Sequence, residues 1–415
     1  MAGKYKIIFA VWFMSVVNYA ERVVIGFTGP SMMQSLHIQP KEFGLLLSSF
    51  AFGYFLSQFP GGLIGDRWGA RPVLILGPLL WALLTGITGL MASVASLMVV
   101  RFCFGLAEGV SIASMYKVVG DSYDMRSRAK ALAIWGTAFA VAPAVTGPVV
   151  GYLLSNFSWQ SVFAMLAVPA LIVAGMNYTV FAHADDVRSP PKHSPQTDRI
   201  SLSLVRDLFH EPSIWLIGGA YCLWNMAFWG FLGWMPSYLA MERHIDIKAA
   251  GVLGGIPYLF AVIGVVLTGW LGSGPFYRHR PSLLAATYLL SGASLYAAYA
   301  AENLTYSLFG LSSAAFFIYA GLSAYGMVVL DLAPTKIRGI YSGIVSTIGQ
   351  LGSITAPAII GYLVSATGMF TSGFVFMILA LSGAAAFALA LVPFSSVRKP
   401  DIGATIALDQ GMTDA

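Results

Sequence analysis

Charge is scarce in this chain: Asp, Glu, Lys and Arg together make up 10% of its 415 residues. A soluble domain carries about 25%, so an ordinary water-facing surface is excluded over most of the length. Cysteine is almost missing, and the two present, Cys103 and Cys222, fall inside apolar stretches. They read as small core residues, which argues against a disulfide framework or a cysteine metal site. All six histidines lie in loops or at the ends of apolar runs. Neither a buried histidine cluster nor a nucleophile motif is present, which argues against an enzyme. There is also no sizeable polar domain of the kind a receptor needs.

What fills the chain is apolar, 57% of it hydrophobic. Stretches such as 73–93 and 369–394 run uncharged for 20 or more residues, enough to cross a hydrocarbon core of roughly 30 Å. Backbone groups in lipid must be satisfied within the segment, so these stretches should be helices. Apolar runs between breakers predict twelve, at 6–35, 43–64, 73–93, 96–118, 129–154, 159–182, 213–240, 247–272, 281–301, 304–330, 337–365 and 369–394. The segment 183–211, rich in Pro, Ser and charge, divides them six and six. The expected organisation is a first bundle over 1–182, a linker over 183–211, a second bundle over 212–394 and a tail over 395–415. The first apolar run is too long, and too charged at its centre, for a cleaved signal, so it is expected to stay as the first helix.

The distribution of Lys and Arg gives an orientation. Segments 1–6, 65–72, 117–130, 183–211, 273–280, 331–338 and 395–415 hold 18 of the 23. The opposite loops hold three, Lys41, Arg243 and Lys248, and Arg22 and Arg101 fall inside helices. By the positive-inside rule the first set is cytoplasmic, with both termini. The net charge of +5 is this loop bias and implies no nucleic-acid partner.

The two halves repeat. A shift of 210 places Asp121 on Asp331, Arg128 on Arg338, Thr137 on Thr347 and Gly151-Tyr152-Leu153 on Gly361-Tyr362-Leu363. A shift of 207 places Asn18 on Asn225. Two six-helix halves in parallel repeat predict a substrate site between them near mid-membrane.

Four stretches carry a family resemblance. GGLIGDRWGAR at 61–71 resembles the signature loop of the major facilitator superfamily. NYAER at 18–22, RFCFGLAEG at 101–109 and GWMPSYL at 233–239 resemble its anion:cation symporter branch, which includes bacterial galactonate and hexuronate carriers and the sialic-acid and vesicular glutamate transporters. The resemblance implies an all-α membrane fold of two pseudo-symmetric six-helix bundles in a bacterial inner membrane, working as a monomer. It implies proton-coupled import of a small organic anion, a sugar acid or related carboxylate, with no cofactor beyond the proton. Asp66, Arg67 and Arg71, with the repeat-related Arg128 and Arg338, would form the cytoplasmic gate. An anion exchanger or uniporter with the same site is the alternative.

Four ionisable residues sit well inside predicted helices: Glu21 and Arg22 in the first, Arg101 and Glu108 in the fourth. A charge at mid-bilayer costs roughly 2.5–3.5 kcal/mol on the insertion scale and marks a functional site or a structural ion pair. Arg101 and Glu108 are two turns apart and share a face, whereas Glu21 and Arg22 are about 100° apart and point differently. The four cancel in charge, so an entering carboxylate leaves the site at −1 and one proton on a glutamate restores neutrality. Arg22 or Arg101 is expected to hold the substrate carboxylate, since a guanidinium binds carboxylate through two donors. Glu108 is expected to be the main proton site, with Glu21 a second site or the gate partner of Arg101. Related carriers usually have Asp where Glu21 stands. By resemblance, Tyr19 and Tyr54 would lend hydroxyls to the cavity, and Gln350 stands where related carriers often place an Asn that binds substrate hydroxyls. Asn225, the repeat partner of Asn18, and the aromatic residues Trp224, Phe228, Trp229, Trp234 and Tyr325 would make the second wall.

Overall fold

The computed structural model describes residues 2–123, 125–182, 206, 208–334 and 337–395. The expected linker and tail lie almost wholly outside them. Thirteen long helices follow one another among the described residues. They are α1 (Ala2–Leu36), α2 (Pro40–Trp68), α3 (Ala70–Thr88), α4 (Val94–Ser122), α5 (Met125–Gly136), α6 (Ala138–Leu154) and α7 (Trp159–Ala182) in the first half. The second half holds α8 (Pro212–Ser237), α9 (Ile247–Ser273), α10 (Arg280–Ala300), α11 (Leu304–Leu332), α12 (Arg338–Thr367) and α13 (Thr371–Ala390). Because α5 and α6 share the fifth crossing, the crossings number twelve, six in each half.

Ten crossings are long and apolar enough to span a membrane on length and composition. The other two, α2 and α8, are diluted by Gly, Ser, Gln, Asn and Trp. Both are wedged among neighbours, α2 between α4 and α12, α8 between α12, α13 and α1.

Local chemistry sets the helix ends. Ser93 accepts from the Ser96 amide at the start of α4, Asp246 from the amides of Lys248 and Ala249 before α9, and Asn303 from Tyr306 before α11. Each satisfies amides that the first helical turn leaves open. Gly69, at φ +83°, makes the turn from α2 to α3 inside the glycine-rich loop, a conformation that side chains resist.

Two helices depart from the expected spans. The fifth crossing, expected to be continuous over 129–154, breaks between Gly136 and Ala138. The Thr137 amide turns back to the Ile134 carbonyl at 3.2 Å, and its hydroxyl takes a bond from the Trp12 indole at 2.9 Å. The seventh, expected to run to 240, leaves α geometry after Ser237 for a π turn over Tyr238–Glu242.

The pairings in one half recur in the other. α2 lies along α4 as α9 lies along α11, α3 against α7 as α10 against α13, and α1 against α6 and α7 as α8 against α12 and α13. Between the halves α2 meets α12, α6 meets α9 and α1 meets α8. These contacts gather at the end away from the Arg/Lys-rich loops. There the Lys41 amide donates to Ser365 Oγ at 2.8 Å and the Ala358 amide to Ser48 Oγ at 3.2 Å. A side chain begun at Gly251 would sit 2.6 Å from the Gly147 carbonyl. Toward the Arg/Lys-rich end, Gly120, Gly136, Gly326, Gly339 and Gly343 have no atom of the described residues within 4 Å of that point. Among the described residues, the halves close on each other at one end and part at the other.

Candidate functional site

The centre of the first half is built by α1 and α4. Arg22 Nε and Nη2 both donate to Glu108 Oε1, at 3.0 and 2.5 Å. Its guanidinium lies in a box of four rings, with Tyr54 at 4.6 Å, Tyr19 at 5.0 Å, Phe50 at 5.1 Å and Trp229 at 5.4 Å. Three rings come from α1 and α2, and the fourth, Trp229, from α8 across the cleft. Aromatic faces attract a guanidinium and keep it from the solvation it would otherwise need. Glu108 is 2% exposed, and its second oxygen has no hydrogen-bond partner. Asn18, one turn before Arg22, is the nearby amide, and its own nitrogen is also unbonded.

Arg101 is differently employed. Nη1 and Nη2 donate to the backbone carbonyls of Glu21 and Arg22, at 3.4 and 3.3 Å. Its guanidinium sits 5.0 Å from the Phe104 ring and 5.2 Å from Phe50. Of the two arginines expected to hold a carboxylate, Arg22 faces the cleft, while Arg101 is buried and pins the α1 backbone. The Glu21 carboxyl makes no hydrogen bond to Arg101 in this conformer, although Arg101 is among the charged groups near it. Glu21 is fully buried, turned toward Thr85 of α3, and neither of its oxygens is hydrogen-bonded.

The other expected residues are placed as follows. Tyr19 is buried, edge-on to Phe139 at 5.5 Å. Tyr54 faces Arg22. Asn225 is buried, and its amide nitrogen donates to the Tyr221 carbonyl at 3.0 Å. The Gln350 side-chain oxygen takes the Ser353 hydroxyl at 2.6 Å, which leaves its amide nitrogen to offer. The second-half wall is otherwise aromatic. Tyr221 and Tyr325 stack at 3.9 Å, Trp224 stacks on Phe228 at 4.8 Å, and Phe228 meets Tyr319 at 5.2 Å. Trp234 sits apart, bonded to the Pro357 carbonyl near the closed end.

Sequence reasoning missed Phe50, Phe104, Thr85 and Tyr319. Phe50 is one turn before Tyr54 and Phe104 lies between Arg101 and Glu108, so helical spacing around the charges would have found both. Tyr319, whose hydroxyl reaches the Phe139 carbonyl across the halves at 3.4 Å, carries no local signal.

At the Arg/Lys-rich end, the Asp66 side chain lies outside the described residues. Arg67 is exposed and Arg71 half-buried at the α2–α3 turn, and Arg338 is exposed where α12 begins. Arg128 Nη2 donates to the Gly120 and Tyr123 carbonyls at 2.6 and 3.2 Å, capping the end of α4. The second-half loop 269–281 has no acid of its own, but α11 supplies one: Arg280 Nη1 meets Asp331 Oδ1 at 2.6 Å while its Nε donates to the Gly272 carbonyl.

With this geometry in view, likeness to known proteins is informative. The sequence pattern of the Major Facilitator Superfamily matches residues 11–329. The chain is 26% identical to the hexuronate transporter of Bacillus subtilis over 410 residues, 94% of each chain. It is 28% identical to a probable galactarate/D-glucarate transporter of the same organism, over 90% of this chain and 88% of that one. Among solved structures, a bacterial homolog of the human lysosomal transporter Spinster, inward-facing and unoccupied, superposes with a TM-score of 0.78 over 95% of this chain and 96% of that one, at 18% identity. That last likeness is one of fold alone.

Proposed function

Because the chain belongs to the major facilitator superfamily, and is a membrane transporter and not an enzyme, we propose that it imports a small organic anion, a sugar acid or related carboxylate, by proton symport. The observation that carries this reading is the Arg22–Glu108 pair at the cleft between the halves. A substrate carboxylate and the Glu108 carboxylate compete for the same two-donor guanidinium. A proton taken by Glu108 removes its charge and frees Arg22 for the incoming anion, so proton and anion enter together. Binding the anion without the proton would leave two carboxylates facing one arginine in a site from which water is largely excluded, a costly arrangement.

The Arg/Lys-rich end is taken as cytoplasmic, with both termini there, in a bacterial inner membrane. The conformer described is then open inward. Rocking of the two bundles, 1–182 and 212–394, about the closed end would complete alternating access, with the carrier acting as a monomer. Asp66, Arg67, Arg71, Arg128 and Arg338 would close the cytoplasmic end in the outward state. Tyr19, Tyr54, Asn225 and Gln350 would complete the substrate cavity.

The test is uptake into proteoliposomes of a panel of organic acids, including galactonate and glucuronate, with acid outside. Wild type and Glu108→Gln are compared. Accumulation that needs the gradient, and is lost in Glu108→Gln while substrate counterflow persists, is the expected result. Uptake indifferent to the gradient and unchanged in Glu108→Gln would make the protein an exchanger or uniporter and Glu108 a structural charge.

A further inference from the structure

We propose that the interior of the first bundle holds a file of bound water molecules that carries a proton from Glu21 to the Arg/Lys-rich end without passing through the cleft. The proposal rests on the symport reading above and adds a route to it. Arg22 faces the cleft, but Glu21, the next residue on α1, faces inward among α1, α3 and α4. The charged groups near it are Arg101 and Glu108 of α4, and its polar neighbour is Thr85. α3 packs on α4 and α7 within its own half, so the Thr85 side of Glu21 faces away from the cleft. The proton reaches Glu21 from Glu108, the cleft-side carboxyl near it, and leaves on the other side.

From Glu21 a series of buried polar atoms without hydrogen-bond partners continues: Thr85 Oγ1, Trp81 Nε1, Ser111 Oγ and Ser114 Oγ. All five side chains are at most 2% exposed. Thr85 and Trp81 are one turn apart on α3, and Ser111 and Ser114 one turn apart on α4. The two pairs meet at Gly77, where a side chain would begin 2.8 Å from Ser111 Oγ and 3.5 Å from the Trp81 ring. A second such point is Gly65 of α2, 2.9 Å from Ser114 Oγ. The Gly65 carbonyl takes a bond from Lys117 Nζ at 3.2 Å, in the charged segment that ends α4. α3 begins at the Arg/Lys-rich end and α4 finishes there, so the series descends toward that face.

Isolated unsatisfied groups are rare inside folded proteins, and buried water commonly supplies the partner, each molecule taking about three bonds. The residue types suit a proton path. The hydroxyls of Thr85, Ser111 and Ser114 both donate and accept, so they can align waters in either direction. The Trp81 indole only donates, so it fixes one water oxygen without interrupting the file. One O–H bond of protonated Glu21 breaks as one forms on the first water. Each water passes on one proton, and one leaves the last water at the far end. Glu21 remains as a carboxylate near Arg101, and nothing else is consumed.

Three variants test this away from Arg22 and Glu108: Ser111→Ala/Ser114→Ala, Trp81→Phe, and Gly77→Ala, which fills the junction against a rotatable hydroxyl. Substrate counterflow in proteoliposomes, measured with glucuronate, needs no proton release and reports an intact site. We expect it unchanged in all three, while gradient-driven glucuronate accumulation slows by about tenfold. X-ray hydroxyl-radical labelling, which oxidises side chains beside bound water, should mark Trp81 in the wild type and fall to background in Gly77→Ala. This readout needs neither substrate nor coupling. Background labelling of Trp81 in the wild type overturns the file whatever the transport result. Unchanged gradient-driven rates in all three variants overturn its role in conduction. Strong Trp81 labelling with gradient-independent uptake by the wild type would instead overturn the symport reading, and the conduction role with it.

Discussion

The two halves of the bundle share a backbone plan and divide the chemistry. Helix pairs recur from one to the other, yet Glu21, Arg22, Arg101 and Glu108 all stand in the first half. The facing wall of the second is made of Tyr221, Trp224, Phe228, Trp229, Tyr319 and Tyr325, with Asn225 and Gln350 as its amides. Buried charges need partners at fixed distance, because an unpaired ion in a low-dielectric interior is expensive. Keeping all four on α1 and α4 of one unit would let the Arg22–Glu108 pair survive the proposed rocking of the halves. Ring faces tolerate sliding better than hydrogen bonds do, so they would suit a wall that, in the proposed rocking, moves relative to the charges.

The sharpest way to break this division is to remove the charge nearest the cleft. Arg22→Ala leaves Glu108 buried without its partner, a loss of about 3–5 kcal/mol. Transport should fall by more than about 100-fold, and the thermal midpoint should drop as well. Arg22→Ala/Glu108→Gln should regain the midpoint but not the transport, because no unpaired carboxylate remains while the anion still lacks its arginine. Binding and melting curves on the purified proteins check both. If Arg22→Ala bound the anion normally and Arg101→Ala did not, the two arginines would exchange roles.

A second comparison is between the two ends of the cleft. Gly251 faces the Gly147 carbonyl and the Gly151 Cα, both backbone and both 2.6 Å from where a side chain would begin. Neither can turn aside, so Gly251→Ala should part α6 from α9 at a cost of about 1–3 kcal/mol. The balance should shift, by roughly 5–150-fold, toward conformers open at that end. Maleimide labelling of a cysteine placed at Ser48, with Cys103 and Cys222 replaced, should rise accordingly. Gly343→Ala, at the open end with nothing within 4 Å, should leave labelling unchanged.

The bundle was legible because its signals are local. Twelve apolar runs, a charged segment between the sixth and seventh, and paired residues at a constant shift all survive in the linear chain. The two errors in helix geometry, at Thr137 and after Ser237, came where tertiary partners bend an apolar run without changing its composition. Within the site, the four charges were visible because membrane helices carry so few. Their pairing was not, since Glu21 and Arg101 look like natural partners until the α1 backbone is seen to occupy the Arg101 donors. Nor could the sequence reveal that α11 lends Asp331 to Arg280, since the two are 51 residues apart and share no motif.

Trp229 sharpens the division from the other side, as a ring of the second half that touches a charge of the first. Trp229→Ala removes one of four faces around Arg22, an interaction of about 0.5–2 kcal/mol. Anion affinity should weaken by about 2- to 30-fold, and Trp229→Phe should recover much of it. Isothermal titration of the purified protein reads the difference directly. An affinity unchanged in Trp229→Ala would mean that the second half shapes the cavity without helping to hold its cation.

The smallest effect is expected at the Arg280–Asp331 pair, the second half's counterpart to the charged turn after α2. Asp331 is 40% exposed and Arg280 13%, so water and salt screen the attraction, and such pairs contribute about 0–1 kcal/mol. Asp331→Asn should therefore slow uptake by no more than about fivefold, and less at high ionic strength. The Arg280 bond to the Gly272 carbonyl does not depend on the acid, and it should keep the end of α9 in place. Arg280→Ala removes both bonds and should cost more than Asp331→Asn at every salt concentration. Equal losses in the two variants would mean that the ion pair alone holds this end. The second half would then carry a charge-dependent latch of its own, and the division between a charged half and an aromatic one would hold only inside the membrane.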